Sequence, residues 1–341
     1  LGGDHQFGKL GMDWKVSFSS ASEDRPDERY LRYEQKGVPI SSLDISNPRF
    51  PSFVYTGNDW NDVSLFGYKK TEQAFKGTEE VNTSFSLDFD LPYNVNDEVK
   101  FGFKYKSKTK DRNDIWYEYD NGLSDMSGVE YFDATLPGYQ PGKKYQSGNF
   151  LTAAALGNLS LGGPSDPNFD SYVMDEFAGR NYDADENITA FYAMIKDKLG
   201  DNLTLIAGAR IESTNIEYTG QVFDEEEDET PADIGSVTGD NSYTNILPNL
   251  TLQWDLNDKL NFNFALTQSL SRPSYYDLVP YEYSNSDDKE LSLGNPDLKA
   301  SLSTNIDFMA EYYFKGLGLF SVGFFNKSID DWIYKFATNN Y

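Results

Sequence analysis

The chain of 341 residues contains no cysteine and only one histidine, His5. Without thiols there is no disulfide framework and no thiolate metal site. A Ser-His-Asp triad or a multi-histidine zinc site would have to rest on His5 alone. No stretch approaches ~18 consecutive apolar residues, which excludes a transmembrane helix but leaves membrane strands untested, since only their alternate residues are apolar. Basic residues are outnumbered: 29 Lys and Arg face 55 Asp and Glu, a formal charge of −26. Phosphate neutralisation needs clustered cations, so the composition argues against nucleic acid as a partner.

What the chain does have is alternation. Leu10, Met12, Trp14, Val16 and Phe18 are separated by Gly11, Asp13, Lys15 and Ser17. The same period of two runs through Phe85–Leu91, Val99–Tyr105, Leu203–Ile211, Leu250–Leu256, Leu260–Leu266, Ile306–Tyr312 and Phe320–Phe324. Ala190, Tyr192 and Met194 read as one further outward row. Such segments are strands with one apolar and one polar face. In a soluble sandwich the apolar face points into a core; in an outer-membrane barrel it faces lipid.

The connections favour the barrel. Long excursions, about 20–81 and 107–187, are followed by tight turns at Pro92 to Glu98 and Gly200-Asp201. Every second connection is short, as expected for periplasmic turns and extracellular loops. Parity agrees. Centring a hairpin on Val95 pairs Leu91 with Val99 and Phe89 with Phe101, and sets Asp90 opposite Lys100, a favourable cross-strand charge pair. A turn at Asn257 to Lys259 pairs Leu256 with Leu260 and Trp254 with Phe262. A two-residue turn at Gly200-Asp201 switches the outward row from even to odd positions. No linker interrupts residues 1–341, so a single architecture of about nine or ten strands is expected. Nine strands are evident; that odd number, with abrupt ends, implies part of a longer barrel or a strand missed within 50–80 or 110–150.

Two segments carry a family resemblance. Ser271-Arg272-Pro273-Ser274-Tyr275-Tyr276-Asp277-Leu278-Val279-Pro280 is followed by Leu293-Gly294-Asn295-Pro296-Asp297-Leu298-Lys299, then by Glu311–Phe314 and Phe324–Ile333. This succession resembles the late barrel of TonB-dependent outer-membrane receptors. Ala190–Met194 with Ala207–Glu212 is similar to their mid-barrel hairpin. The resemblance implies an all-β, antiparallel transmembrane barrel of 22 strands, closed by an N-terminal plug and energised through a TonB box. Neither plug nor box is recognisable here. It implies a receptor for a bulky nutrient (iron chelate, oligosaccharide or peptide) in the bacterial outer membrane, with outer-membrane lipid, the plug and TonB as partners and a surface lipoprotein as a candidate one. No cofactor and no catalytic activity are expected. A passive porin and a secreted soluble carbohydrate-binding β-protein are the alternatives.

Candidate ligand contacts are aromatic residues of the outer loops: Trp60, Tyr68, Trp116, Tyr117, Tyr119 and Tyr139. Their flat faces beside polar groups suit stacking on a sugar, siderophore or peptide, or equally suit packing the loops together. In the acidic run, Asp224, Glu226 and Asp228 offer oxygen ligands to a divalent cation, although like-charge blocks are more often solvated loops. Asp183-Ala184-Asp185-Glu186 has only a faint calcium-loop spacing. Lumen-facing Lys100, Lys104, Lys106, Asp88, Asp90, Arg210 and Glu212 are expected to meet the plug or water.

Overall fold

Period-two alternation becomes one long antiparallel sheet in the computed structural model, which describes residues 1–56, 61–133, 148–224, 229–285, 290–316 and 318–338. Its wall strands are β1 (Gly2–Phe7), β2 (Leu10–Glu34), β3 (Gly67–Pro92), β4 (Glu98–Tyr119), β5 (Tyr182–Leu199), β6 (Leu203–Asp224), β7 (Gly235–Asn257), β8 (Leu260–Ser271), β9 (Ser301–Phe314) and β10 (Gly318–Asp330). They pair in chain order, each with the next. β1 and β10 are the edges of this path.

The wall thus has ten strands among the described residues. The tenth lies at Gly2–Phe7, ahead of the first expected strand, where Gly8 takes a positive φ of 65° in the turn to Leu10. Strands also run further than their apolar patterns: β2 continues to Glu34 and β4 to Tyr119, well into the expected loops. Polar alternation extends them beyond the lipid, where backbone pairing alone requires no apolar face.

The apolar rows share one face. Phe89 pairs with Phe101, Trp254 with Phe262 and Phe264 with Phe308. The rings touch across strands, Phe89 to Phe101 at 5.1 Å and Phe262 to Phe308 at 6.1 Å. Phe101 remains 39% exposed and Phe308 42%. Among the described residues no second sheet covers these rows, which speaks against the soluble sandwich. Tyr105 donates to Asn187 Oδ1 at 2.7 Å where this face turns polar, as an interfacial aromatic girdle does.

Three details differ from the sequence pattern. The β5–β6 turn has three residues, pairing Leu199 with Leu203. Phe191, Ile195 and Leu199 are therefore the outward residues, 57%, 39% and 46% exposed, while Ala190 is buried. The segment is apolar on both faces, so alternation alone did not choose between them. A bulge between Asp255 and Asn257 sets Asn257, not Leu256, against Leu260. Asp90 lies opposite Lys100 in register, yet the Lys100 ammonium reaches Glu98, 3.4 Å away.

Candidate functional site

The polar face of the sheet is covered at β5–β7 by the connection between β8 and β9. Pro273 cannot continue a ladder. Ser274 then caps one helical turn, Tyr275–Leu278, its hydroxyl accepting from the Asp277 amide at 3.2 Å. The turn carries Leu278 and Val279 into a cluster with Tyr182, Ala184, Ile216, Tyr218 and Tyr281. Complete burial of these two side chains contributes ~1.5–3 kcal/mol each. Gly220 makes the approach feasible, because a Cβ there would collide with Val279.

The second motif completes the fold-back. Asn295 donates its amide to the Asp277 carbonyl at 2.8 Å, and Gly294 to Tyr281 at 3.1 Å. A side chain at Gly294 would strike the Val279 carbonyl. Asn241 of β7 donates to both the Pro296 and Leu298 carbonyls at 2.8 Å, and the Tyr218 hydroxyl to Pro296 at 3.2 Å. Arg-Pro and Gly-Asn-Pro, 20 residues apart in sequence, are thus two halves of one plate lying on the wall.

Charges pin the plate. Arg272 donates to Glu212 and, at 3.0 Å, to Thr214 Oγ1, while its Nε stands 3.6 Å from Glu186. Arg210 holds the other oxygen of Glu212 at 2.8 Å. The Tyr275 hydroxyl donates to Glu186 at 3.2 Å; burial first, then the Glu186 charge, raises this phenol's pKa and keeps it a neutral donor. Lys108 sits 4.9 Å over the Tyr275 ring and 3.0 Å from Glu80. Every one of these side chains but Tyr275 and Arg272 stands on an even position of β3–β6, the face opposite the apolar rows, which identifies it as the lumen.

The aromatic candidates lie elsewhere, at the outer ends of β3 and β4. Tyr68 donates to the Tyr119 carbonyl at 2.7 Å. Trp116 is 5% exposed and stacks on Tyr30 at 5.2 Å, with Lys76 4.6 Å from its ring. Tyr117 meets Phe75, Phe169 and Tyr172. Tyr119 is buried, donating to Gln73 and accepting from the Gly163 amide. These rings join the strand ends to residues 163–178 of the following connection. Trp60 and Tyr139 lie outside the described residues.

Asp224 is the last residue of β6; Glu226 and Asp228 lie outside the described residues. Asp183–Glu186 is not a loop but strand β5, whose pleat sends Asp183 and Asp185 to one face and Glu186 to the other, so it forms no calcium loop. His5 accepts a hydrogen bond from the Trp14 indole at 3.1 Å. Glu186, Tyr275 and Asn241 also belong to the site, although no sequence pattern singles them out for it. Parity along β5 sets only the face of Glu186; the contacts of Tyr275 and Asn241 depend on where the connection folds.

A sheet with an uncovered apolar outer face, a charged inner face and alternately short and long connections defines the wall of a transmembrane β-barrel. Residues 163–340 match the outer membrane protein beta-barrel family, and the chain belongs to that family; its place is the bacterial outer membrane. No curated protein matches it. Among solved structures it is similar to the closed form of the ferric-catecholate import receptor Fiu from K12 E. coli, at 12% identity and a TM-score of 0.47, over 95% of this chain and 42% of that one. It is similar also to the FrpB iron transporter from Neisseria meningitidis, at 12% identity and a TM-score of 0.42, over 97% and 46%. The chain spans less than half the length of either.

Proposed function

We propose that this barrel segment belongs to a TonB-dependent receptor that imports a bulky nutrient, an iron chelate, oligosaccharide or peptide, across the outer membrane. The observation that carries the reading is the plate formed by Arg272–Val279 and Gly294–Leu298. The two motifs that resemble the receptor family are the two that pack together on the lumen wall. In this reading the segment is one part of a 22-stranded wall around a plug, and transport energy enters through TonB. The outer connections capture ligand first, with the half-exposed Tyr68 and Tyr117, and Trp60 and Tyr139, as contacts. Trp116 and Tyr119 shape that crown from beneath. Asp224, Glu226 and Asp228 are weaker candidates for a cation. A surface lipoprotein is a candidate cap. The segment itself does no bond chemistry.

The test uses cells expressing the full-length protein, grown on iron chelates, oligosaccharides or peptides as the limiting source, with and without TonB. Growth on at least one source that needs both the protein and TonB supports the reading. Uptake that ignores TonB, together with a steady large ion conductance in bilayers, would replace it with a passive porin.

A further inference from the structure

The lumen face of β4 carries a run of cations that the plate does not use up. Its even positions read Lys100, Gly102, Lys104, Lys106, Lys108, Lys110 and Arg112. Alternate residues of a strand lie ~7 Å apart, so this is a basic stripe ~40 Å long, parallel to the strand. The register that pairs Phe101 with Phe89 and Ala193 makes the facing unambiguous. Gly102 confirms it, since a Cβ there would press on Asp88 and Tyr192, both lumen residues.

Most of the stripe is neutralised locally. Glu98 meets Lys100, Glu80 meets Lys108 and Lys110, and Asp114 meets Arg112. Lys104 and Lys106 differ: neither has an ion-pair partner among the described residues. Their cross-strand neighbours on β3 are Ser86 and Ser84, and on β5 Ala190 and Ile188. The nearby carboxylates are engaged elsewhere. Glu186 takes Tyr275 and Arg272, Glu212 takes Arg210 and Arg272, and Asp88 accepts from Tyr192 at 2.8 Å. In a protein with nearly two acidic residues for each basic one, two adjacent lumen lysines without an ion pair among the described residues are a specific feature.

We propose that Lys104 and Lys106 form an anion-binding step in the lumen, taking a small polyanion whose phosphate or carboxylate groups bridge the ~7 Å between alternate strand positions. Ser86 supplies a hydroxyl donor beside Lys104, while the Ser84 hydroxyl beside Lys106 is shared with Ser17 at 2.7 Å. Lysine suits this role because it is a compact, rotatable, hydrated point charge that releases as readily as it binds. Low-dielectric walls concentrate the field of both ammonium groups into the water-filled space. The inference rests on the import reading only for its direction of transport; the binding step stands on the stripe.

The experiment titrates full-length protein in lipid nanodiscs with sodium tripolyphosphate at low ionic strength, with neutral raffinose as a control. Wild type should bind tripolyphosphate and not raffinose, with affinity falling as salt is raised. K104Q/K106Q should weaken binding about tenfold or more, each lost charge contact being a sizeable part of a modest affinity. K110Q, which removes a lysine already shared with Glu80, should change it less. Equal losses in the two variants would reduce the effect to overall charge and overturn the proposal. Unchanged affinity in K104Q/K106Q with a new ion leak would assign these lysines to a plug contact instead, which also overturns it. Tripolyphosphate binding that depends on both lysines in a protein showing no TonB-dependent uptake would remove the import reading and leave the site standing.

Discussion

Arg272 and Glu212, 60 positions apart in sequence, meet on the lumen wall through a guanidinium–carboxylate hydrogen bond. Arg272 opens the fold-back connection and Glu212 faces inward from the middle of β6. The pair decides which way the chain leaves β8: over the lumen and onto the wall, instead of outward into solvent. Removing the guanidinium in R272A leaves Glu186 without a cation while Glu212 retains Arg210. The expected cost is ~2–3 kcal/mol, below the range for a fully buried pair because lumen water reaches Arg272. Thermal unfolding of the full-length protein in detergent measures the cost, and hydrogen exchange across 275–281 should rise. R272K should recover little of it, since lysine cannot divide a planar fork among Glu212, Thr214 and Glu186.

Gly220 provides a steric test of the same plate. G220A places a methyl group against Val279 and should lift the Tyr275–Leu278 turn from the wall. Chymotrypsin is then expected to cleave near Tyr275, Tyr276 or Tyr281 faster than in wild type. G220A/V279A removes the colliding methyl groups and should restore resistance. Cleavage that is unchanged in G220A would mean that the plate is not seated against β6.

Phe101 tests which face meets lipid. F101R puts a charge on the outward row and should destabilise the inserted barrel by ~2–4 kcal/mol if the site lies near the bilayer midplane. S86R, on the opposite face of neighbouring β3, should cost far less because it opens into the lumen. Heat-dependent gel mobility of membrane-extracted protein distinguishes the two. Equal sensitivity would contradict the assigned facing.

Asp111 gives a pH dependence. It stands six residues beyond Tyr105, outside the membrane, in register with Asp183 on β5 and Glu79 on β3. Burial, then the hydrogen bond and charge of Asp183, then Glu79, raise its pKa to about 6. The folded state therefore holds a proton that the unfolded chain releases near pH 4. Stability from this group is present at low pH and falls as pH rises through 4 to 6. D111N keeps the hydrogen bond without the charge, so its melting temperature should match wild type near pH 4 and exceed it above pH 6. A melting-temperature difference independent of pH would rule out this carboxylate cluster as its source.

Alternation and parity make the wall legible in the sequence. Phe89 opposite Phe101 and Trp254 opposite Phe262 follow from a side-chain period of two and a turn of known length. Where both faces of a strand are apolar, that logic fails. Ala190, Phe191, Tyr192, Ala193, Met194 and Ile195 permit either facing, and only pairing across a three-residue turn set Phe191 outward. The short β1 is not legible in the sequence, because Gly2–Phe7 carries little apolar pattern of its own.

The lysine stripe on β4 was written in the sequence as well, at alternate positions of a strand whose other face was already assigned to lipid. What the sequence determined by itself is therefore what repeats locally: strand, face, sidedness of connections and the charge on each row. The plate over β5–β7 was decided only by tertiary structure. Its contacts join Arg272 to Glu212, Val279 to Gly220 and Asn241 to Pro296, across separations with no periodic signal. The same holds for which lysines are left without a carboxylate, because charge pairing inside a lumen depends on neighbouring strands and on the chain folded over them.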